Sequence, residues 1–295
     1  MRQRPALNRQ GRRCHPDGMP FPNLAGKHAG RPYVTAQRLL RYHQAQGNAR
    51  DGTAPRAVIL TWQARLEARV RERRGHHELP GPGVGAALLQ LAPDLGLARL
   101  PIGAPAAAIA VEELSARGAE LFIGIGTAGG IGQRLAAGDL VVCSAALRDE
   151  GTSYHYAPPE AFAWPDPELT ARLRTALPTA AHGPSWTTDA PYRETAEEGA
   201  RYGAEGMLTV EMEASCLFTV AAITGTAAAA AFVVSDTLSG EQWQPRFGSA
   251  GVLAGLWALF EAAGSCLSSL PAQARDKQLD HAARVVARVA AASGA

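Results

Sequence analysis

Apolar segments of strand length alternate with helical patterns along most of the chain. Residues 121–125 and 227–234 form continuous apolar runs, which indicate buried strands. The alanines at 227–231 favour a helix by propensity alone, but the TGT turn before them and the FVVSD after them favour a strand. The pattern also predicts a helix over 108–117 that ends at Gly118, because glycine readily adopts the left-handed conformation that follows a helix.

The other predicted elements continue this alternation. They are strands at residues 57–60 and 139–145 and helices at residues 35–46, 63–74, 167–177, 251–260 and 276–292. Strands that alternate with helices indicate a layered α/β domain with a mostly parallel or mixed sheet. A shift in composition divides the chain into a tail at 1–18, an N-terminal extension at 19–55 and a folded domain at 56–295.

The formal net charge of +2 is unevenly distributed over the 295 residues. Five arginines stand against Asp17 within residues 1–18, so this tail carries +4 and the rest of the chain carries −2. We interpret the tail as a flexible basic segment, or as the product of an upstream start with Met19 as the biological start. The body of the chain gives no electrostatic signal for nucleic acid, and we predict no such partner.

Apolar runs and cysteine spacing suggest the compartment. We find no stretch of about 18 uncharged apolar residues, the length needed to span a bilayer, and predict no membrane partner. The four cysteines are far apart and fit no metal-ligand spacing. We therefore expect a reducing, cytoplasmic environment and no bound metal.

A glycine-rich segment follows the apolar run at 121–125. Gly124 to Gly129 match the GxGxxG pattern of dinucleotide-binding oxidoreductases, which requires a helix to begin at the third glycine. Only nine residues separate Gly129 from the next predicted strand, too few for a crossover helix. We therefore reject a dinucleotide site and expect a glycine-rich turn, whose backbone amides and Thr127 hydroxyl could hold an anion or a flat ligand.

Acidic residues end two of the apolar segments. Glu211 and Glu213 stand two apart, and residues two apart in a strand share one face. Two carboxylates on one buried face need hydrogen-bond donors, which a vicinal diol of a sugar can supply. The alternative for Glu213 is a simple acidic residue at a helix N-terminus. Asp236 follows the apolar run at 227–234, where ligands of α/β proteins bind, although a turn residue would explain it as well.

These motifs, in this order and spacing, resemble the nucleoside phosphorylase family of purine and uridine phosphorylases. The matching segments are GIGTAGGI, GDLVV, RDEGTSYHYAP, VEMEAS and VVSD, and the chain is nearest the uridine phosphorylase branch through RDEGTSYHYAP. Asp236 in VVSD instead matches the purine branch, so the identity of the base is left open. The resemblance implies a single three-layer α/β/α domain with a central mixed sheet, no metal or organic cofactor, and phosphate as co-substrate. It also implies a small-molecule nucleoside substrate and a homo-oligomer, a dimer or a hexamer, with catalysis in residues 56–295.

The resemblance implies roles for individual residues. Glu211, Met212 and Glu213 would bind the ribose hydroxyls, and Gly126 and Thr127 would line the phosphate side. The base would contact Tyr192, Arg193 and Asp236, and Asp236 would protonate it as it leaves. Arg193 could instead contact phosphate or be a surface loop residue. We therefore expect Asp236 to be buried, and we expect Asp236 and Glu213 to act in catalysis.

Departures from the family pattern leave the nucleophile open. Gly124 stands where the phosphorylases usually carry a phosphate-binding arginine, and residues 60–65 replace their N-terminal phosphate loop. Arg65 is our candidate for a second phosphate arginine. A nucleosidase of the same fold, which uses water, and a non-catalytic nucleoside-binding protein therefore remain alternatives.

Three further residues have two interpretations each. His28 is either a histidine lent to the ribose site of a neighbouring subunit or a solvated loop residue, and we favour the latter. Trp186 and Trp243 either flank the base or pack in the core, and we favour core packing for both.

Overall fold

The computed structural model describes residues 22, 24, 27–47, 52–239 and 242–270. The basic tail and the helix predicted at 276–292 lie outside these residues. The helices are α1 (Ala36–Ala45), α2 (Ala64–Arg73), α3 (Ala104–Ala116), α4 (Pro167–Ala176), α5 (Ala196–Ala204), α6 (Ala214–Thr224) and α7 (Ala250–Ser268). The strands are β1 (Ala57–Thr61), β2 (His77–Leu79), β3 (Ala87–Ala92), β4 (Leu95–Arg99), β5 (Leu121–Ile131), β6 (Leu140–Asp149), β7 (Phe162–Ala163), β8 (Ala181–Thr188), β9 (Thr209–Glu211), β10 (Ala227–Ser239) and β11 (Gln242–Pro245).

Ten strands follow one path through a mixed sheet, in the order β11-β10-β6-β8-β9-β5-β1-β4-β3-β2, and β7 pairs with β6 beside this path. An additional parallel pairing of β10 with β5 closes a circuit through β6, β8 and β9. Helices cover the sheet on both sides, with α3 and α6 over one apolar core and α4 and α7 over the other. The predicted α/β class with a central mixed sheet is confirmed.

Most predicted elements exist with shifted ends. The helix predicted at 35–46 is α1, whose N-cap Thr35 accepts the N–H of Arg38. The polyalanine run is the first part of β10, buried between both cores, as the flanking residues indicated. Gly118, after α3, has the expected positive φ of 104°. Strands β2, β3, β4, β7, β8 and β11 and helix α5 were not predicted, since they lack long apolar runs.

The predicted glycine-rich turn after residue 125 is wrong. β5 continues through the glycines to Ile131. Residues without a side chain are needed there. A Cβ at Gly124 would lie 2.8 Å from Leu217 Cδ2, and one at Gly129 would lie 3.0 Å from Val210 Cγ1. The glycines therefore admit close neighbours to the strand. The connection from β5 to β6 contains no helix, which agrees with the rejection of a dinucleotide fold.

Helix α7 is longer than predicted and is the most apolar long helix among the described residues. By length and composition its 19 residues could cross a membrane, with a mean hydropathy of 1.5. In this fold half of the most apolar 18-residue stretch of the helix is buried, and the helix packs on α4, β5 and β10. The side chain of Trp257 on its outer part lies under the guanidinium of Arg69, 4.6 Å from the ring centroid. We interpret α7 as a core helix.

Gly255 of α7 offers a test of this packing. A Cβ there would lie 2.5 Å from Cγ2 and 3.1 Å from Cβ of Val233, a stiff side chain in β10. We expect Gly255→Ala to lower the free energy of unfolding by about 1–2 kcal/mol, since overpacking outweighs the gain in helix propensity. The measurement is urea unfolding at equilibrium.

Gly264 of the same helix is the matched control, since its nearest atom to an added Cβ is Leu95 Cδ2 at 3.9 Å. Gly264→Ala should leave stability unchanged or raise it by up to about 1 kcal/mol. Equal effects of the two substitutions would contradict the close contact of α7 with β10.

Candidate active site

The carboxylate of Glu211 fixes the junction between β9 and α6. Its Oε2 accepts the backbone N–H groups of Glu213 and Ala214, both at 2.7 Å. Its Oε1 accepts the hydroxyls of Thr187 at 2.5 Å and Ser185 at 3.3 Å, both on β8. Glu211 is buried, and these four donors satisfy it from within the protein. Its predicted contact with ribose stays a prediction, and the structure gives it a role in capping α6.

Glu213 lies one step further on, at the N-cap of α6. The expectation that both glutamates share a strand face is wrong, because β9 ends at Glu211 and the chain turns at Met212. Oε1 of Glu213 accepts the N–H of Gly103 at 2.7 Å, at the start of α3. The side chain is 7% exposed, so a carboxyl group is buried where the N-termini of two helices meet.

Burial affects the two glutamates differently. It raises the pKa of Glu213 to about 8, the charge of Glu211 adds to this, and the N–H groups of Gly103 and Met212 oppose it. Burial raises the pKa of Glu211 too, but its four donors favour the charged form. A pKa of about 8 keeps Glu213 mainly protonated at neutral pH. A protonated carboxyl can both donate and accept a hydrogen bond, and each hydroxyl of a diol can do the same.

Asp236 lies on β10, where a bulge shifts its pairing with β5. Its Oδ1 accepts the hydroxyl of Ser235 at 2.7 Å, and its Oδ2 accepts the indole N–H of Trp243 at 2.8 Å. Oδ2 also lies 3.3 Å from the place that a Cβ of Gly129 would take. The expectation of a buried Asp236 is wrong, since the residue is only partly buried.

The register of the sheet brings the predicted acids together. Gly129 of β5 pairs with Asp236 on one side and with Val210, the residue before Glu211, on the other. Thr127 stands two residues earlier in β5. The three acids and Thr127 therefore lie near the carboxyl-terminal half of β5.

Neutral side chains surround Gly126 and Thr127, the residues predicted to line the phosphate side, which we call the nucleophile side. Gln63 Nε2 donates to Thr127 Oγ1 at 3.1 Å. The indole of Trp62 covers β5, with Cη2 3.5 Å from a Cβ at Gly124 and Cε3 3.6 Å from one at Gly126. Trp62 Nε1 is buried with no hydrogen-bond partner among the described residues. The sequence signal for these two residues was only their place after β1.

Arg65 does not join this group through any described contact. It is exposed, and its Nη1 lies 3.1 Å from the position of a Cβ at Gly248, before α7. Across residues 52–239 and 242–270, no hydrogen bond or ion pair links a lysine or arginine side chain to Thr127, Glu213 or Asp236. The role of Arg65 in phosphate binding stays a prediction.

The predicted base residues form a short 3₁₀ turn, Pro191–Arg193. Tyr192 is 98% exposed and Arg193 is exposed too, and among the described residues no hydrogen bond or ion pair joins either of them to the three acids. Glu194, which we did not single out, is half-buried. Burial raises its pKa to about 7, and the charges of Asp236 and Glu198 add to the effect. Glu194 therefore lies close enough to Asp236 for the charge of Asp236 to act on its pKa.

The RDEGTSYHYAP segment has a structural explanation. Arg148 is buried and donates to the Ser153 hydroxyl and to the carbonyls of Ala157 and Pro158. Glu150 accepts the hydroxyl of Ser215 on α6 at 3.0 Å. These contacts attach the loop after β6 to α6. The same loop meets the N-terminal extension, where Lys27 contacts His155.

The remaining aromatic and histidine predictions divide. Trp186 is 1% exposed and donates to Asp149, which agrees with core packing. Core packing of Trp243 is wrong, because its side chain is 58% exposed and holds Asp236. His28 lies in the 3₁₀ turn Lys27–Ala29, and its two interpretations stay open.

Residues 82–252 match the Phosphorylase superfamily, and the chain belongs to this family. A guanosine phosphorylase of Halorubrum lacusprofundi is 37% identical over 149 residues, which cover 49% of this chain and 62% of that protein. A uridine phosphorylase of Treponema pallidum is 49% identical over 75 residues, which cover 25% of this chain and 29% of that protein. The chain thus matches less than two thirds of the length of these curated relatives.

Two solved structures share the fold. An AMP nucleosidase from Bacteroides thetaiotaomicron superposes with a TM-score of 0.61 and 22% identity, covering 79% of this chain and 98% of the other. A uridine phosphorylase from Vibrio fischeri gives 0.58 and 22%, covering 78% and 93%. At this identity the likeness concerns the fold alone.

The raised pKa of Glu213 predicts how stability depends on pH. Its usual pKa is 4.5 and its folded value is about 8, so between these values the folded state binds more protons than the unfolded state. This group's contribution to the free energy of unfolding therefore falls as pH rises, by on the order of 1 kcal/mol per pH unit. Glu213→Gln should flatten the profile between pH 5 and 8, measured by urea unfolding.

The exposed Glu197 of α5 provides the control for that titration. Glu197→Gln should keep the slope of the parent protein. A parent slope that Glu213→Gln leaves unchanged would contradict the proton on Glu213.

Glu211 predicts a different result. Glu211→Ala leaves two helix N–H groups and two hydroxyls without their acceptor, and should lower the free energy of unfolding by about 3 kcal/mol. Glu211→Gln should lose much less, because its amide oxygen can still accept both N–H groups. Equal losses in the two variants, measured in urea, would exclude the capping role.

Proposed function

We propose that the chain is a nucleoside phosphorylase, which cleaves the N-glycosidic bond of a nucleoside with phosphate and yields a free base and ribose 1-phosphate. The observation that carries this proposal is the buried carboxyl of Glu213 beside the capped N-terminus of α6. Such a group is costly unless a ligand with hydroxyls completes its hydrogen bonds. Relatives that are named guanosine and uridine phosphorylase support the same reaction.

Glu213 would bind the ribose, with the backbone of Met212 beside it. One carboxyl can meet two vicinal hydroxyls, and its only described hydrogen bonds come from backbone N–H groups. Positive charge develops on the sugar as the bond to the base breaks. The carboxylate of Glu211, buried behind Glu213, contributes a negative field at that moment.

Phosphate would approach from the side of Gly126 and Thr127. A phosphate oxygen forms the new bond to C1′ while the C1′–N bond breaks, and the bonding electron pair goes to the base nitrogen. The base then takes up a proton, for which Asp236 is the proposed donor. Two side chains already donate to Asp236, one to each oxygen. The proton that Asp236 passes to the base would come from solvent.

A nucleosidase is the second candidate, and one observation favours it. The described nucleophile side carries Trp62, Gln63 and Thr127, all neutral, whereas a phosphate dianion is usually met by cations. A water molecule needs no cation. It would attack C1′, its proton would go to solvent or a carboxylate, and the products would be free base and ribose.

Product analysis separates the candidates. The protein is incubated with uridine, guanosine or adenosine, with and without phosphate, and ribose 1-phosphate and ribose are quantified. Turnover that requires phosphate and yields ribose 1-phosphate is expected. Equal turnover to ribose without phosphate would replace the proposal with hydrolysis, and nucleoside binding without turnover would indicate a binding protein.

The matched pair of glutamine variants tests the site. Glu213→Gln should lower kcat/KM by about 100-fold or more, because ribose hydroxyls that donate to the carboxyl favour its charged form, and an amide cannot form those charge-assisted hydrogen bonds. Glu211→Gln should lower it far less once its stability is taken into account. Similar, mild losses in both variants would exclude Glu213 as the ribose ligand.

A further inference from the structure

Trp243 combines an exposed ring with a fixed polar edge. Its side chain is 58% exposed, yet its indole N–H is fixed by a 2.8 Å hydrogen bond to Asp236 Oδ2. A tryptophan usually stabilises a fold by packing its ring in the core. Here the polar edge of the ring is anchored and the apolar face remains open.

The hairpin of β10 and β11 holds this arrangement in place. Asp236 pairs with Pro245, and Leu238 pairs with Trp243. The N–H of Arg246 donates to the carbonyl of Ser235 at 2.8 Å, which closes the base of the hairpin. Phe247 lies beside the indole, with ring centroids 5.9 Å apart. The indole is therefore presented at the sheet edge by an ordered pair of strands.

We propose that Trp243 is the positioning residue for Asp236 and that its open indole face forms one wall of the base subsite. This inference rests on the proposed function. A nucleobase is planar and partly apolar, so it stacks well on an exposed indole. Trp243 then links two tasks, since one ring covers the base and orients the carboxyl that meets the base.

The surroundings of Asp236 decide how this is tested. Ser235 donates to its other oxygen, and the missing side chain of Gly129 lets Asp236 lie close to β5, since an added Cβ would be 3.3 Å from Oδ2. Glu194, from the segment before α5, is near enough to interact with its charge, and burial raises the pKa of Glu194 to about 7. A pH profile of the parent protein therefore contains Glu194, and the comparison belongs in a Glu194→Gln background.

In that background, Trp243→Phe keeps an aromatic wall and removes the N–H donor. We expect KM for the nucleoside to change less than about threefold and kcat to fall about tenfold. The alkaline limb of the kcat profile should move to higher pH, because a donor to the charged carboxylate is lost. Trp243→Ala also removes the wall and should raise KM about tenfold. A profile that Trp243→Phe leaves in place would overturn the positioning role.

Fluorescence provides a second readout that needs no turnover. Uridine or guanosine should quench the tryptophan emission of the parent protein, and this quenching should be largely lost in Trp243→Phe. Quenching without turnover would contradict the proposed function but support Trp243 as a wall of the base subsite. Turnover with unchanged quenching in Trp243→Phe would overturn the wall and leave the function intact. No quenching and no turnover would contradict both, and circular dichroism checks that each variant is folded.

Discussion

The carboxylate of Glu211 connects three parts of the fold at one point: the end of β9, the first turn of α6 and the hydroxyls of β8. A helix N-terminus leaves N–H groups without partners, and an ionised carboxylate is their strongest acceptor. This contact ends the strand at Glu211 and turns the chain at Met212. Glu213 is thereby held against the start of α3, where its own carboxyl becomes hard to ionise.

Sequence reasoning succeeded where local signals agree with the fold. The run from Ala227 was correctly predicted as a strand because its flanks outweighed alanine propensity, and the acids were found because they end apolar segments. It failed at the glycines of β5, which look like a turn. Their actual purpose is to admit Leu217, Val210 and Asp236 to the strand surface, and such contacts come from distant parts of the chain.

The same limit explains the missed site residues. Gln63 meets Thr127 across 64 positions, and Trp243 reaches Asp236 only because β11 folds back on β10. No local pattern marks either pair. The site that results is acidic where the sugar and base are proposed to lie and neutral where the nucleophile is proposed to enter. This asymmetry makes the identity of the nucleophile the main chemical question for this member of the Phosphorylase superfamily.

The central claim is that the buried carboxyl of Glu213 receives the ribose hydroxyls. Calorimetric binding of a ribonucleoside and of its 2′,3′-dideoxy analogue, to the parent protein and to Glu213→Gln, tests it most directly. The account predicts that the analogue binds the parent protein on the order of 100-fold more weakly, and that the difference shrinks to a few-fold in the variant. An equal difference in both proteins would contradict the account.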